Sequence, residues 1–249
     1  MDVGNGHGLG LVESLNARVY GNGSETLVLS HGFGVDQTVW HFILPYLACY
    51  FKVVIFDMVF SPNVKPSLYD PKRYSDFDSY AEDLVNLLDQ LKVNKTIYLG
   101  HSMSAMIGCI AATERPDLFT HLILLGGSPR YLNDVGYTGG FERSDIESIL
   151  NEMNHNFSNW VTNFSPKAVG VYDTNAVKEF KSSLERMKPG IALEVAKTVF
   201  LSDLRYVLKQ VKNIPCTIIQ SEKDIVVPKS VAFYMQEMLG SKNNTTVEI

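Results

Sequence analysis

The sequence predicts an α/β protein with a mostly parallel sheet and helices on both faces. Short apolar, β-branched runs alternate with segments that can form helices, which is typical of this class. One such run leads through Gly-His-Ser straight into a helix-compatible segment of small residues. With 249 residues, 45% of them hydrophobic and 20% charged, the chain can bury a sizeable core. We expect one domain that carries an inserted subdomain.

The first part of the predicted core spans residues 1–126. A Pro-containing loop over Met58–Lys72 excludes a continuous helix there, and Asp76 is the expected N-cap of the helix that follows. The predicted strands are Ala17–Tyr20, Thr26–Ser30, Lys52–Asp57, a run beginning at Thr96, and His121–Gly126; the predicted helices are Trp40–Tyr50 and Phe77–Leu91.

The pattern changes over residues 127–208, where strand-like runs disappear. Four helices are predicted instead, at Glu142–Met153, Asn156–Phe164, Thr174–Met187 and Ile191–Phe200, with breaks at Pro166 and Pro189. This segment reads as an inserted helical lid. It holds more large apolar side chains than a solvent-covered helix pair needs, and we expect some of them, Val195 included, to line a ligand pocket.

The core resumes over residues 209–249. Its predicted elements are a strand at Cys216–Gln220, a helix at Lys229–Leu239 and a strand at Thr246–Ile249.

Composition narrows the choice of function. The formal charge is −5 without basic clusters, so nucleic-acid and membrane-surface binding are not expected. Cys49, Cys109 and Cys216 are widely spaced, which predicts reduced thiols and a cytoplasmic or nuclear protein. No leader pattern and no run long enough to span a membrane is present. We expect neither a metal nor a cofactor.

Ser102 is the predicted nucleophile, because it lies on the strand-to-helix turn of a nucleophile elbow. The N–H groups of Met103 and of Phe33, in the Gly-rich loop after an early strand, are the predicted oxyanion hole. The usual pattern is Gly-x-Ser-x-Gly, and here Ser104 takes the last position. A small residue is needed there because helix and strand backbones pass close together.

Asp224 is the predicted acid of a catalytic triad, since it follows a strand end after the insertion. Glu222 is the competing carboxylate. The triad base is missing: the six histidines are His7, His31, His41, His101, His121 and His155, and none follows Asp224. We interpret His31 and His101 as structural or pocket-lining residues. Without a base, Ser102 is a weak nucleophile.

Four motifs resemble the strigolactone and karrikin receptor family of plant α/β-hydrolases: His31–Trp40, Gly100–Gly108, Gly127–Leu132 and Ser202–Arg205. The resemblance runs from about Leu9 to Ile249 and is greatest to the DWARF-fourteen-like paralogue. Ser104 agrees with this family.

The resemblance implies an α/β-hydrolase fold with a V-shaped lid of four helices. It also implies slow hydrolysis of a small apolar butenolide by Ser102, Asp224 and a histidine, and signalling in which the lid recruits an F-box protein and a repressor target. By position, the pocket-lining residues are Phe33, His101, Trp160, Phe164 and Phe200.

Family members continue through a Gly-His loop and a final helix, which this sequence lacks. We therefore expect a C-terminally truncated and catalytically impaired form of an esterase-like enzyme or hydrolytic receptor. The alternatives are a non-catalytic ligand-binding or signalling module and, disfavoured by the motifs, an unrelated small-ester esterase or cofactor-independent perhydrolase.

Overall fold

The computed structural model describes residues 10–240 and 244–249, so predictions that fall on residues 1–9, which include His7, and on 241–243 lie outside it. Within the described residues, seven strands form one sheet in the order β1-β3-β2-β4-β5-β6-β7. Only β1 is antiparallel to its neighbour. The strands are β1 Arg18–Tyr20, β2 Thr26–Ser30, β3 Lys52–Ile55, β4 Thr96–His101, β5 Phe119–Leu125, β6 Cys216–Ile219 and β7 Thr245–Glu248. The predicted α/β class is confirmed.

The helices connect these strands in the expected alternation. None of those described is long and apolar enough to cross a membrane. They are α1 Leu11–Ser14, α2 Leu44–Leu47, α3 Asp78–Gln90, α4 Met103–Glu114, α5 Arg143–His155, α6 Phe157–Val169, α7 Thr174–Arg186, α8 Pro189–Leu201, α9 Arg205–Leu208 and α10 Lys229–Met238. Short 3₁₀ turns occur at Gln37–Trp40, Pro66–Leu68 and Pro116–Leu118. Helices α5–α8, here called the helical insertion, all lie between β5 and β6.

The predicted helix Trp40–Tyr50 is wrong. A 3₁₀ turn ends at Trp40, and α2 covers only Leu44–Leu47, with Pro45 in its first turn. Proline favours the start of a helix and disrupts its interior, so it begins a new short helix here. The segment also leaves Phe42 and Tyr46 mostly exposed, which removes the packing that would hold a longer amphipathic helix.

Helix α6 extends beyond its predicted end at Phe164. It continues through Pro166 to Val169 and ends at Gly170, which has a left-handed φ of 69°. The Gly170 N–H donates to the Pro166 carbonyl at 3.2 Å. A glycine C-cap therefore ends this helix, since glycine adopts the left-handed conformation without steric cost.

Strand β4 and helix α4 form the centre of the core. Every residue of α4 from Met103 to Ala112 is buried. Tyr98 on β4 is fully buried, and its hydroxyl donates to the Ser104 carbonyl at 2.9 Å. The Tyr98 ring packs against Gly108, where an added Cβ would collide with the ring. A glycine is therefore required for α4 to pack this closely on β4.

We predict that Gly108→Ala lowers the free energy of unfolding by about 1–3 kcal/mol, the usual cost of overpacking a core. Tyr98 cannot move aside easily, because its hydroxyl bond fixes the ring. Urea unfolding monitored by circular dichroism measures the change. Gly190→Ala in α8 is the matched control, because a Cβ there meets no described atom within 4 Å. Equal stability of Gly108→Ala and the parent chain would contradict the packing argument.

Candidate active site

Ser102 lies between β4 and α4 with a backbone φ of 57° and ψ of −124°. Such a conformation costs a non-glycine residue about 1–3 kcal/mol and persists only where the surroundings hold it. Two hydrogen bonds do so: the Ser102 N–H donates to the Leu125 carbonyl at 2.8 Å, and its carbonyl accepts from Ala105 at 3.0 Å. The structure thus has the sharp turn that the sequence predicts for a nucleophile elbow.

Glycines allow the backbone to pass close to this turn. A Cβ on Gly32 would lie 2.8 Å from the Ser102 Cβ, so the Gly-rich loop passes directly beside the serine side chain. A Cβ on Gly100 would collide with the Ser104 carbonyl, and one on Gly127 with the Ala105 side chain. These positions have no room for any larger residue.

Ser104 does more than replace the glycine of the general pattern. Its hydroxyl donates to the His31 carbonyl, at the start of the Gly-rich loop, and accepts from the Ser30 hydroxyl at 3.1 Å. Both serines are fully buried. Ser104 therefore connects the first turn of α4 to the end of β2 and to the loop that carries Phe33.

Neither predicted oxyanion donor has a hydrogen-bond acceptor among the described residues. Met103 is the first residue of α4, where a helix offers its N–H no acceptor. The Phe33 N–H likewise makes no hydrogen bond within residues 10–240 and 244–249. Phe33 and Ser102 line the same cavity.

The two candidate acids, Asp224 and Glu222, have different surroundings. One oxygen of Asp224 accepts from the N–H groups of Val226 and Val227 at 2.8 and 3.0 Å, and the other accepts from the Gln220 side chain at 3.1 Å. Asp224 lines the cavity with Ser102, whereas Glu222 is exposed outside it. The predicted acid therefore reaches the site, and it also fixes its own loop.

His31 is occupied on both ring nitrogens. Its Nε2 lies 2.9 Å from the Met58 N–H, which can only donate, so Nε2 accepts and Nδ1 carries the proton that goes to the Gly32 carbonyl at 2.9 Å. Burial lowers the pKa of His31, with hydrogen bonding to Gly32 opposing. His31 is a neutral structural residue that connects two loops beside the site.

His101 lies in the cavity wall next to Ser102. Burial and the neighbouring His31 lower its pKa to about 4, and the Asp224 charge opposes them only in part. His101 is therefore neutral at physiological pH. Within the described residues, no histidine is hydrogen-bonded to Ser102 or to Asp224.

The cavity has a volume of about 240 Å³ and mostly apolar walls. Core and insertion both contribute to it. Its lining consists of Phe33, Val35, Val39, His101, Ser102, Gly126, Tyr131, Phe164, Ala168, Val169, Phe180, Val199, Phe200, Asp224, Val226 and Val227. Four of the predicted pocket residues are in this set: Phe33, His101, Phe164 and Phe200.

Trp160 and Val195 do not line the cavity, in contrast to the sequence prediction. Both are buried outside its lining. The Trp160 ring stacks on Phe164 with centroids 5.0 Å apart and lies 6.4 Å from the Phe33 ring. Trp160 precedes Phe164 by one helical turn, so both lie on the same face of α6 and only the second reaches the cavity. Trp160 supports two wall residues from behind.

The sequence interpretation missed Tyr131 as a wall residue. Its side chain is 1% exposed, and its hydroxyl has no hydrogen-bond partner among the described residues. Burial raises its pKa to about 12, with the nearby Ser102 hydroxyl opposing. The sequence signal for Tyr131 was its position. It lies six residues after the end of β5 and near the end of the Gly127–Leu132 motif.

Comparisons with known proteins agree with this geometry. The family model of the alpha/beta hydrolase fold matches residues 25–248. Strigolactone esterase D14 of Arabidopsis thaliana is 48% identical over 96% of this chain and 88% of its own length. Karrikin insensitive 2 receptor CA of Petunia hybrida is 45% identical over 93% of this chain and 86% of its own length. The structure of a hydrolase from Oleispira antarctica has a TM-score of 0.91 at 34% identity and covers 96% of this chain and 86% of its own length.

We predict that the free energy of unfolding falls as pH decreases from about 6.5 towards 4, because His101 is neutral in the fold and protonates freely in the unfolded chain. At a pH between the folded and unfolded pKa values of His101, the unfolded chain binds more protons than the folded chain. Lowering the pH in this range therefore favours unfolding. The loss due to His101 is on the order of 1–3 kcal/mol.

Urea unfolding at a series of pH values tests this. His101→Gln should flatten the dependence between about pH 6.5 and 4, the window set by its two pKa values. His155→Gln, at an exposed position on α5, is the control and should leave the curve unchanged. If His101→Gln leaves the slope of the unfolding free energy against pH unaltered, the lowered pKa of His101 is contradicted.

Proposed function

Since this chain belongs to the α/β-hydrolase family, in the group of strigolactone esterases and karrikin receptors, we propose that it binds a small apolar butenolide below the helical insertion. The relatives' names supply the ligand class. A cavity of about 240 Å³ suits a small ligand, because drug-sized ligands occupy larger pockets. The predicted four-helix lid and its V shape are part of this proposal.

One observation carries the proposal: the strained Ser102 opens onto an apolar cavity that Asp224 also lines. A strained serine that served only packing would gain nothing from facing a cavity. Apolar walls favour the body of a butenolide.

The chemistry would be acyl transfer at the ligand's ester carbonyl. The Ser102 oxygen attacks the carbonyl carbon, the carbonyl π bond opens, and the N–H groups of Phe33 and Met103 bind the resulting oxyanion. Collapse breaks the bond to the leaving oxygen and leaves an acyl-serine that water hydrolyses. A base must take the serine proton and later deliver one to the leaving group.

The 249-residue chain places no histidine after Asp224 to serve as that base. His31 already uses both ring nitrogens, and His101 is a poor proton acceptor with a pKa of about 4. We therefore propose that hydrolysis by this chain is impaired and that ligand binding is retained. Loss of one triad member leaves only the smaller rate enhancement from the oxyanion hole and binding.

The missing base also favours a second candidate function, a non-catalytic binding or signalling module. In that role the occupied cavity would control how the helical insertion meets an F-box protein and a repressor target. Membership of the DWARF-fourteen-like group belongs to the same proposal and rests on the sequence motifs. A cytoplasmic or nuclear location is proposed from the wide spacing of the three cysteines.

We predict negligible Ser102-dependent hydrolysis of p-nitrophenyl acetate and of a fluorogenic butenolide by the 249-residue chain. Joining the C-terminal segment of the Arabidopsis thaliana relative to this chain should increase turnover by about 100-fold or more, since it supplies the missing base. The measurement compares initial rates of the chain and of the chimera. The Ser102→Ala variant of each is the control that gives the rate not due to Ser102.

A chimera whose added histidine is changed to alanine distinguishes the catalytic effect of that histidine from a stabilising effect of the added segment. It should fold like the active chimera and remain inactive. Ser102-dependent turnover by the 249-residue chain itself would refute the impairment. A chimera that binds ligand but stays inactive would favour the non-catalytic module.

We predict that Ala168→Trp, which fills the cavity from α6, weakens butenolide binding by about tenfold or more, as a clash with the ligand would. Calorimetric titration in the Ser102→Ala background avoids turnover. Ala176→Trp on α7, outside the cavity lining, is the matched control and should bind normally. Equal affinities of the two variants would place the ligand elsewhere.

A further inference from the structure

A second cavity, of about 320 Å³ and here called the outer cavity, lies between the 3₁₀ turn Gln37–Trp40 and helix α7 of the insertion. It shares three lining residues with the cavity at Ser102, here called the Ser102 cavity: Val35, Val39 and Phe180. On the basis of the butenolide function proposed above, we propose that Phe180 determines specificity. Its ring closes the Ser102 cavity towards the outer cavity and so restricts the site to compact butenolides.

The partition between the two cavities is thin. Because Val35, Val39 and Phe180 each border both cavities, a single layer of side chains separates the cavities there. Phe180 is the largest of the three. Its half-buried ring lies beside Gly34, where an added Cβ would be 3.4 Å from the ring, and its centroid is 6.3 Å from that of Phe164. The Phe180 ring therefore fills the space between the Gly-rich loop and α6.

Helix α7, which carries Phe180, is fixed to the 3₁₀ turn that borders the outer cavity. Arg186 pairs with the buried Asp36 at 2.7 Å, and Glu179 lies 3.4 Å from His41. Removing the partner of a buried carboxylate is costly, so the Asp36 pair holds the α7 backbone in place. The size of the Phe180 side chain then decides whether a ligand can extend into the outer cavity.

The volumes fit this role. At about 240 Å³ the Ser102 cavity is smaller than the pockets of about 300–1,000 Å³ that hold drug-sized ligands. It suits a butenolide ring without a long substituent. The outer cavity, at about 320 Å³, is large enough for such a substituent, but Phe180 lies between the two.

The lining of the outer cavity selects a neutral tail. Its charged side chains already have partners, since Arg186 pairs with Asp36 and Glu179 contacts His41. A charged tail would have to compete with these contacts. The other lining residues are hydroxyl-bearing or apolar, which suits an ether or hydrocarbon tail: Val35, Thr38, Val39, Phe42, Ala176, Phe180, Ser182 and Ser183.

Two probes test the proposal: a methyl butenolide, and the same butenolide carrying a hexyl ether. Protein NMR shifts give both affinities in the Ser102→Ala background, which prevents turnover. We expect the hexyl ether to bind at least about tenfold more weakly than the methyl butenolide. Phe180→Ala should change the ratio of the two affinities by about tenfold or more in favour of the hexyl ether, and Phe180→Leu should change it less in the same direction.

Three further variants locate the effect. Ala176→Trp fills the outer cavity and, combined with Phe180→Ala, should cancel the change in the ratio. Phe164→Ala enlarges only the Ser102 cavity and should change the ratio by less than about threefold. Phe233→Ala, at an exposed position of α10 that lines neither cavity, is the matched control and should leave the ratio unaltered.

An unchanged ratio in both Phe180 variants would overturn the proposal, and so would an equal change in Phe164→Ala or a change that survives Ala176→Trp. Equal affinity of the Ser102→Ala chain for the two probes would also overturn it, because the tail would then fit without passing Phe180. In each of these outcomes the methyl butenolide still binds and the proposed function stands. If the methyl butenolide does not bind at all, the proposed function is refuted, and the role of Phe180 with it.

Discussion

The close passage of β4 against α4 at Ser102 is the constraint on which the site depends. A left-handed serine is stable only if its neighbours leave it no alternative. Gly100 and Gly127 let the backbones approach, and the Ser104 hydroxyl binds the His31 carbonyl across the gap. Because Ser104 reaches the loop that carries Phe33, the same bond helps to set the distance between Ser102 and Phe33, the proposed nucleophile and oxyanion donor. The strained backbone of Ser102 and the position of Phe33 therefore depend on the same contacts.

The cavity above Ser102 depends on a second set of contacts, between the insertion and the core. Arg186 at the end of α7 pairs with the buried Asp36 at 2.7 Å. Burial alone would raise the pKa of Asp36, but hydrogen bonds from Thr38 and Arg186 hold it below its usual value. Asp36 lies three residues after Phe33, so the ion pair anchors the insertion close to the Gly-rich loop. Trp160 completes the link by packing against Phe33 and Phe164.

Local chemistry made three features predictable from the sequence: the sharp turn at Ser102, the position of Asp224 at the same cavity, and the sheet. A Gly-His-Ser turn and a strand-end carboxylate keep their meaning in any α/β context, since strand ends meet at one edge of a parallel sheet. No local sequence signal of this kind shows which side chains of the inserted helices reach the cavity. Trp160 and Phe164 share one helix face, and tertiary packing alone decides which of them reaches the cavity. The same limit explains the error at Trp40–Tyr50, where Pro45 and missing packing overrode an apolar pattern.

The two described histidines beside Ser102 are neutral structural residues. A general base must be free to accept a proton near neutral pH. Met58 already donates to His31 Nε2, so protonation there would break a buried bond. His101 is free of such a bond, but its pKa of about 4 makes it a weak acceptor, and Asp224 does not offset the burial. His101 therefore forms part of the cavity wall, and His31 fixes the Gly-rich loop, both in neutral form.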